Sequence, residues 1–111
     1  MKFVIYLSLL LIMNNSFASG WATQDGSGKI TTVNVEGGLV RVVYTANDQS
    51  DPDNCGNKHT FILKDDTKNG DRQYSAILAA HMSQRPIKLY VNGCFNGWNQ
   101  TWPKIHAIFV D

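Results

Sequence analysis

Two cysteines are all that this sequence of 111 residues contains: Cys55, inside a polar stretch, and Cys94, just after a strand-like run. Paired, they exclude every fold in which those two segments lie apart. They also close a loop of roughly 40 residues, and restricting the unfolded chain in that way is worth about 4 kcal/mol. Neither sits in a C-x-x-C, and no histidine lies at metal-ligand spacing from both. A reactive thiol or a metal pair is therefore the weaker reading. The choice turns on compartment, because disulfides persist outside the reducing cytosol.

The N-terminus points to export. Lys2 supplies a positive start, Phe3 to Met13 is an uncharged apolar run broken only by Ser8, and small residues follow at Ser16, Ala18, Ser19 and Gly20. The run falls short of the roughly 20 residues that a spanning helix needs and fits a signal peptide. Cleavage is expected after Ala18, with Gly20 a close alternative. Residues 1–18 are then the signal, and residues 19–111 form one secreted or periplasmic domain with no membrane span and one Cys55–Cys94 disulfide. Discounting Lys2, nine basic residues face nine acidic ones. A neutral chain lacks the basic surface that grips nucleic acid.

Within that domain, residues 21–28 are small and polar and predict a tail. The β-branched run Lys29 to Val35 predicts a strand, Glu36-Gly37-Gly38 a tight turn, and Leu39 to Thr45 the returning strand, whose only charge is Arg41. Residues 46–58 carry loop chemistry throughout, and His59 to Leu63 predicts a short third strand. Asp71 is placed to cap a helix over 71–84, with Tyr74, Ile77, Leu78, His81 and Met82 along one stripe and Pro86 beyond its end. Ile87 to Val91 alternates as a half-buried strand, Asn92-Gly93 predicts a turn, and Lys104 to Val110 predicts a last strand. The expected class is mainly β with one helix (α+β). Its order β-β-β-α-β-β is that of the OB-fold, a five-stranded, partly open barrel.

Catalytic signatures are weak. His59, His81 and His106 lack helical partners for a zinc site, and the acids cluster in loops as Asp48, Asp51 and Asp53, then Asp65, Asp66 and Asp71. Asp65-x-Thr67-x-Asn69-Gly70 echoes a calcium loop but has Ala76 where the bidentate Glu belongs. No cofactor, metal or catalytic residue is assigned on these grounds. The unusual segment runs from Phe95 to Pro103, expected as a nine-residue loop packed with aromatic and amide side chains. Indoles stack on sugar faces and amides pair with hydroxyls, so Phe95, Asn96, Trp98, Asn99 and Trp102 are the expected ligand-binding residues. Either tryptophan is equally able to fold back over the core.

The helix, the link Gln84-Arg85-Pro86, the strand Ile87-Lys88-Leu89-Tyr90 and the pair Trp102-Pro103 resemble the B subunits of AB5-type toxins, in particular the subtilase-cytotoxin and pertussis-like group. The whole chain, with Pro103-Lys104-Ile105 and Ile108, is also similar to small exported bacterial proteins of unassigned function. The toxin resemblance implies a disulfide-bonded OB-fold, a homo-oligomeric ring, glycan binding and a catalytic partner chain. No glycan-contacting residue of that family aligns onto a position here. The expected function is a non-enzymatic binding module for a glycan or protein surface. The alternatives are a small hydrolase or nuclease using loop Asp with His59 or His106, and an envelope accessory or inhibitor protein.

Overall fold

The computed structural model describes residues 19–23, 27–64 and 68–110. The expected signal segment lies outside them, as do Asp65, Asp66 and Thr67. The elements are β1 (Gly20–Trp21), β2 (Lys29–Glu36), β3 (Leu39–Thr45), β4 (Thr60–Lys64), α1 (Lys68–Ser83), β5 (Ile87–Gly97) and β6 (Gln100–Val110). Among the described residues no helix is long and apolar enough to cross a membrane.

The strands form one sheet in the order β1-β5-β6-β4-β3-β2, with β4 and β6 parallel and every other neighbouring pair antiparallel. This corrects the expected five-stranded barrel: the sheet has six strands and is not closed. The sixth strand, β1, takes in Trp21, the first residue of the stretch expected to be a tail. It pairs Gly20 with Val91 and Trp21 with Tyr90, and Ala22 N–H continues onto the Leu89 carbonyl at 2.9 Å. That occupies the edge of β5 which β2 would need for closure. What remains is one isolated bridge, where Gly28 and Ile87 exchange both backbone hydrogen bonds at 2.9 and 2.8 Å.

Alternation fixes the core. Val40, Val42 and Tyr44 of β3, Phe61 and Leu63 of β4, and Ile87, Leu89 and Val91 of β5 turn inward, with Ile30 from β2. The turn between β2 and β3 sits on Gly37 and Gly38, whose φ values of 43° and 84° suit a residue without Cβ. Helix α1 starts before the expected cap, which places Asp71 in its first turn near the positive end of the helix dipole. Its buried stripe is Ile77 and Ala80 with Tyr74 partly covered, while Met82 is 81% exposed. The expected stripe is thus rotated, because the helix end is pinned to β2: His81 Nδ1 lies 3.1 Å from the Ile30 carbonyl, and Gln84 Nε2 donates to the same oxygen at 3.2 Å. Ile62, Cys55, Trp102 and Pro103 are buried outside this main core cluster.

Tyr44 is wholly buried, edge-on to Phe61 at 5.8 Å, and its hydroxyl donates to the Ile87 carbonyl at 2.8 Å. Burial pushes its pKa above the ordinary value of 10.0. The unfolded chain therefore ionises first. The stability tied to this group is fully present below about pH 10 and is lost as the pH rises toward the folded value. Y44F is expected to abolish this alkaline loss, which urea melts on either side of about pH 10 will show as a smaller drop than in the parent.

Candidate functional site

The segment expected as a loop is the end of a long hairpin. Strands β5 and β6 pair continuously from Cys94–Pro103 through Gly97–Gln100, leaving only Trp98 and Asn99 as the turn. Both have positive φ, 50° and 60°, the backbone that a two-residue type I′ hairpin turn requires. Asparagine tolerates this region, but a bulky side chain there is strained. Asn92-Gly93, expected to be the turn, lies inside β5 at an irregularity in the register between Val91 and Cys94.

Cys55 and Cys94 form the disulfide, with their Cα atoms 5.6 Å apart. It joins the hairpin to the polar 46–58 loop, and hydrogen bonds run beside it. Thr101 Oγ1 donates to the Cys55 carbonyl, and Gly93 N–H donates to Asp53 Oδ2 at 2.6 Å. Asp51 accepts from the N–H groups of Cys55 and Gly56 at 2.9 and 2.7 Å. Two of the loop acids are therefore spent on holding backbone. The other Asp53 carboxylate oxygen, Oδ1, is buried and has no hydrogen-bond partner among the described residues.

The two tryptophans have different fates. Trp102 is 8% exposed and its indole N–H donates back to the Gly97 carbonyl at 3.1 Å, so it serves as a wall. Trp98 is 48% exposed and stands edge-on to Trp102, centroids 5.9 Å apart. Phe95 is half-buried, 6.2 Å from Trp98, and its ring folds so close over Gly97 that a Cβ there would stand 2.6 Å from Phe95 Cε2. Asn96, Trp98 and Asn99 share a shallow depression with Gln100 and Thr101. The structure thus brings Phe95, Trp98 and Trp102 together by their rings, and puts Asn96 and Asn99 at the surface beside the exposed indole.

Three further residues belong to this cluster. The Arg41 guanidinium lies 5.1 Å from the Trp98 ring centroid and is ion-paired with Glu36 at 2.8 Å. Lys64 Nζ stands 5.9 Å from the Phe95 ring centroid. The one hint in the sequence was Arg41 as the sole charge of an otherwise apolar strand. A second aromatic group was also missed: Trp21 stands 5.2 Å from both Tyr90 and Phe109, and Tyr90 is 6.1 Å from His106. Trp21 and Phe109 are 42% and 47% exposed.

The histidines are dispersed. His59 is exposed, His81 holds the helix end, and His106 lies on β6 between β5 and β4. Among the described residues no three of His, Cys, Asp and Glu converge as a metal-binding group. Compared with known proteins, the chain matches no family model, no curated protein and no solved structure.

Proposed function

We propose that the protein is an exported, non-enzymatic binding module that recognises a glycan or protein surface through the tip of the β5–β6 hairpin. The observation that carries this reading is Trp98, a half-exposed indole held at a positive-φ turn position. A strained backbone that keeps an apolar ring in water favours a functional explanation. A glycan is the better-supported ligand, because a flat ring flanked by Asn96, Asn99, Gln100 and Thr101 supplies stacking and hydroxyl-pairing groups together. The disulfide supports a compartment outside the cytosol. Strands β2-β3-β4-β6-β5, with the Gly28–Ile87 bridge between the outer two, support an OB-like arrangement that β1 holds open. A single shallow site binds weakly, so a homo-oligomer fits the reading through avidity.

Glycan-array binding by parent and W98A proteins tests this. W98A is expected to lose more than about tenfold in binding, as a truncated interface anchor does. Capture of a protein through Trp98 instead of a glycan would shift the ligand class, and binding indifferent to Trp98 would end the proposal. The same position gives a stability prediction. W98G is expected to be about 1 kcal/mol more stable than W98A, since glycine adopts positive φ freely. Thermal melts should separate them by about 4–8 °C in a domain of this size.

A further inference from the structure

On the sheet face away from the main core, β4 and β6 run side by side, with Ile62 opposite Lys104. Side chains two apart share a face, so Lys64 lies with Ile62, and His106 lies with Lys104. The first turns of α1 border this surface through Asn69 and Gln73, and Gln73 Nε2 donates to the His106 carbonyl at 2.5 Å. The result is a cleft of about 370 Å³ whose polar lining is Lys64, Lys104, His106, Asn69, Gln73 and Asn92. No carboxylate is among the described residues that line it. Asp53, bonded to Gly93 beside the Lys104 side chain, is not one of them.

We infer that this cleft binds the tetrahedral oxyanion of a sulfate or phosphate ester. Two ammonium groups supply the charge. An imidazole and three amides supply further directional donors, and the positive end of the α1 dipole adds to the field. The cations of the lining are lysines, compact point charges that bind a tetrahedral anion without a fixed planar geometry. The volume exceeds that of a bare anion, which leaves room for the esterified group. Lys64, which also stands over the Phe95 ring, is shared with the hairpin-tip cluster, whereas Lys104, His106, Asn69, Gln73 and Asn92 lie outside it. The inference does not depend on what the hairpin tip binds.

The test titrates the full chain with inorganic sulfate, inorganic phosphate and acetate, followed by isothermal calorimetry and backbone amide shifts. An O-sulfated disaccharide, its unsulfated parent and a sugar phosphate form the second arm. Sulfate or phosphate is expected to bind with shifts at Lys64, Lys104 and Asn69, and acetate at least about tenfold more weakly. A tighter sulfated disaccharide identifies a glycan source, and a tighter sugar phosphate a phosphate-ester source. K64Q, at an exposed position, and K104Q are each expected to weaken oxyanion binding about tenfold with unchanged thermal stability. No binding at millimolar anion, equal binding of acetate, or binding unaffected by both variants overturns the inference.

Discussion

Replacing Cys55 and Cys94 together by alanine is expected to lower the unfolding free energy by about 4 kcal/mol, out of the 5–15 kcal/mol that domains of this size possess. The bond spans a sequence separation of 39, and most of its effect lies in the unfolded chain, which regains the conformations that the closed loop forbids. The folded state keeps other ties between the same segments, Gly93 N–H to Asp53 and Thr101 Oγ1 to the Cys55 carbonyl. The variant is therefore expected to fold with its hairpin in place, but with a lower urea midpoint and a larger m-value, because an uncrosslinked chain exposes more surface on unfolding. Hydrogen exchange should quicken most at residues 51–56 and 93–102, where the disulfide joins loop to hairpin. A loss below about 1 kcal/mol would show that native strain cancels the loop-entropy gain.

How much of this could be read from the sequence depends on how local the cause is. Strands β2 and β3 and their glycine turn follow from β-branched runs broken by Gly37-Gly38, and the observed bounds agree within a residue. The disulfide follows from the count of cysteines together with an N-terminus that reads as an export signal. The hairpin tip was illegible for a physical reason. Asn92-Gly93 carries the strongest turn signal, yet Gly93, at φ 79°, sits at a register irregularity inside β5, and the real turn occupies two residues without glycine. Trp98 takes its positive φ because the β5–β6 pairing closes on a two-residue turn, and its ring there meets Phe95, Trp102 and, from β3, Arg41. The five aromatic and amide residues were identified by type alone. Which tryptophan is exposed depends on the Trp102 indole reaching the Gly97 carbonyl, a tertiary fact.

The N-terminal stretch was the largest misreading, and it yields the second large effect: Gly28→Ala is expected to cost about 3 kcal/mol. A polar, glycine-containing run predicts a tail, but here Ala22 is fully buried and Gly28 meets Ile87 through two hydrogen bonds. A Cβ on Gly28 would stand 2.8 Å from Ala46 Cβ and 2.8 Å from Tyr44 Cζ, and nearer still to the Thr45 carbonyl oxygen. Two of these three contacts are backbone or a Cβ fixed to it, and the third is a ring held by its own hydrogen bond to Ile87. None is the free end of a flexible chain, so relief requires Gly28 to shift away from the end of β3. That shift strains the isolated bridge that joins Gly28, just before β2, to Ile87 of β5. Gly38→Ala is the control: its φ of 84° makes alanine strained, but nothing lies within 4 Å, so it should cost only about 1–2 kcal/mol. Urea unfolding of both variants, with exchange of the Ile87 amide followed alongside, separates crowding from backbone strain. Equal destabilisation by the two, or an Ile87 amide that stays protected in Gly28→Ala, would show that the bridge tolerates displacement and that β1 alone secures the edge of β5.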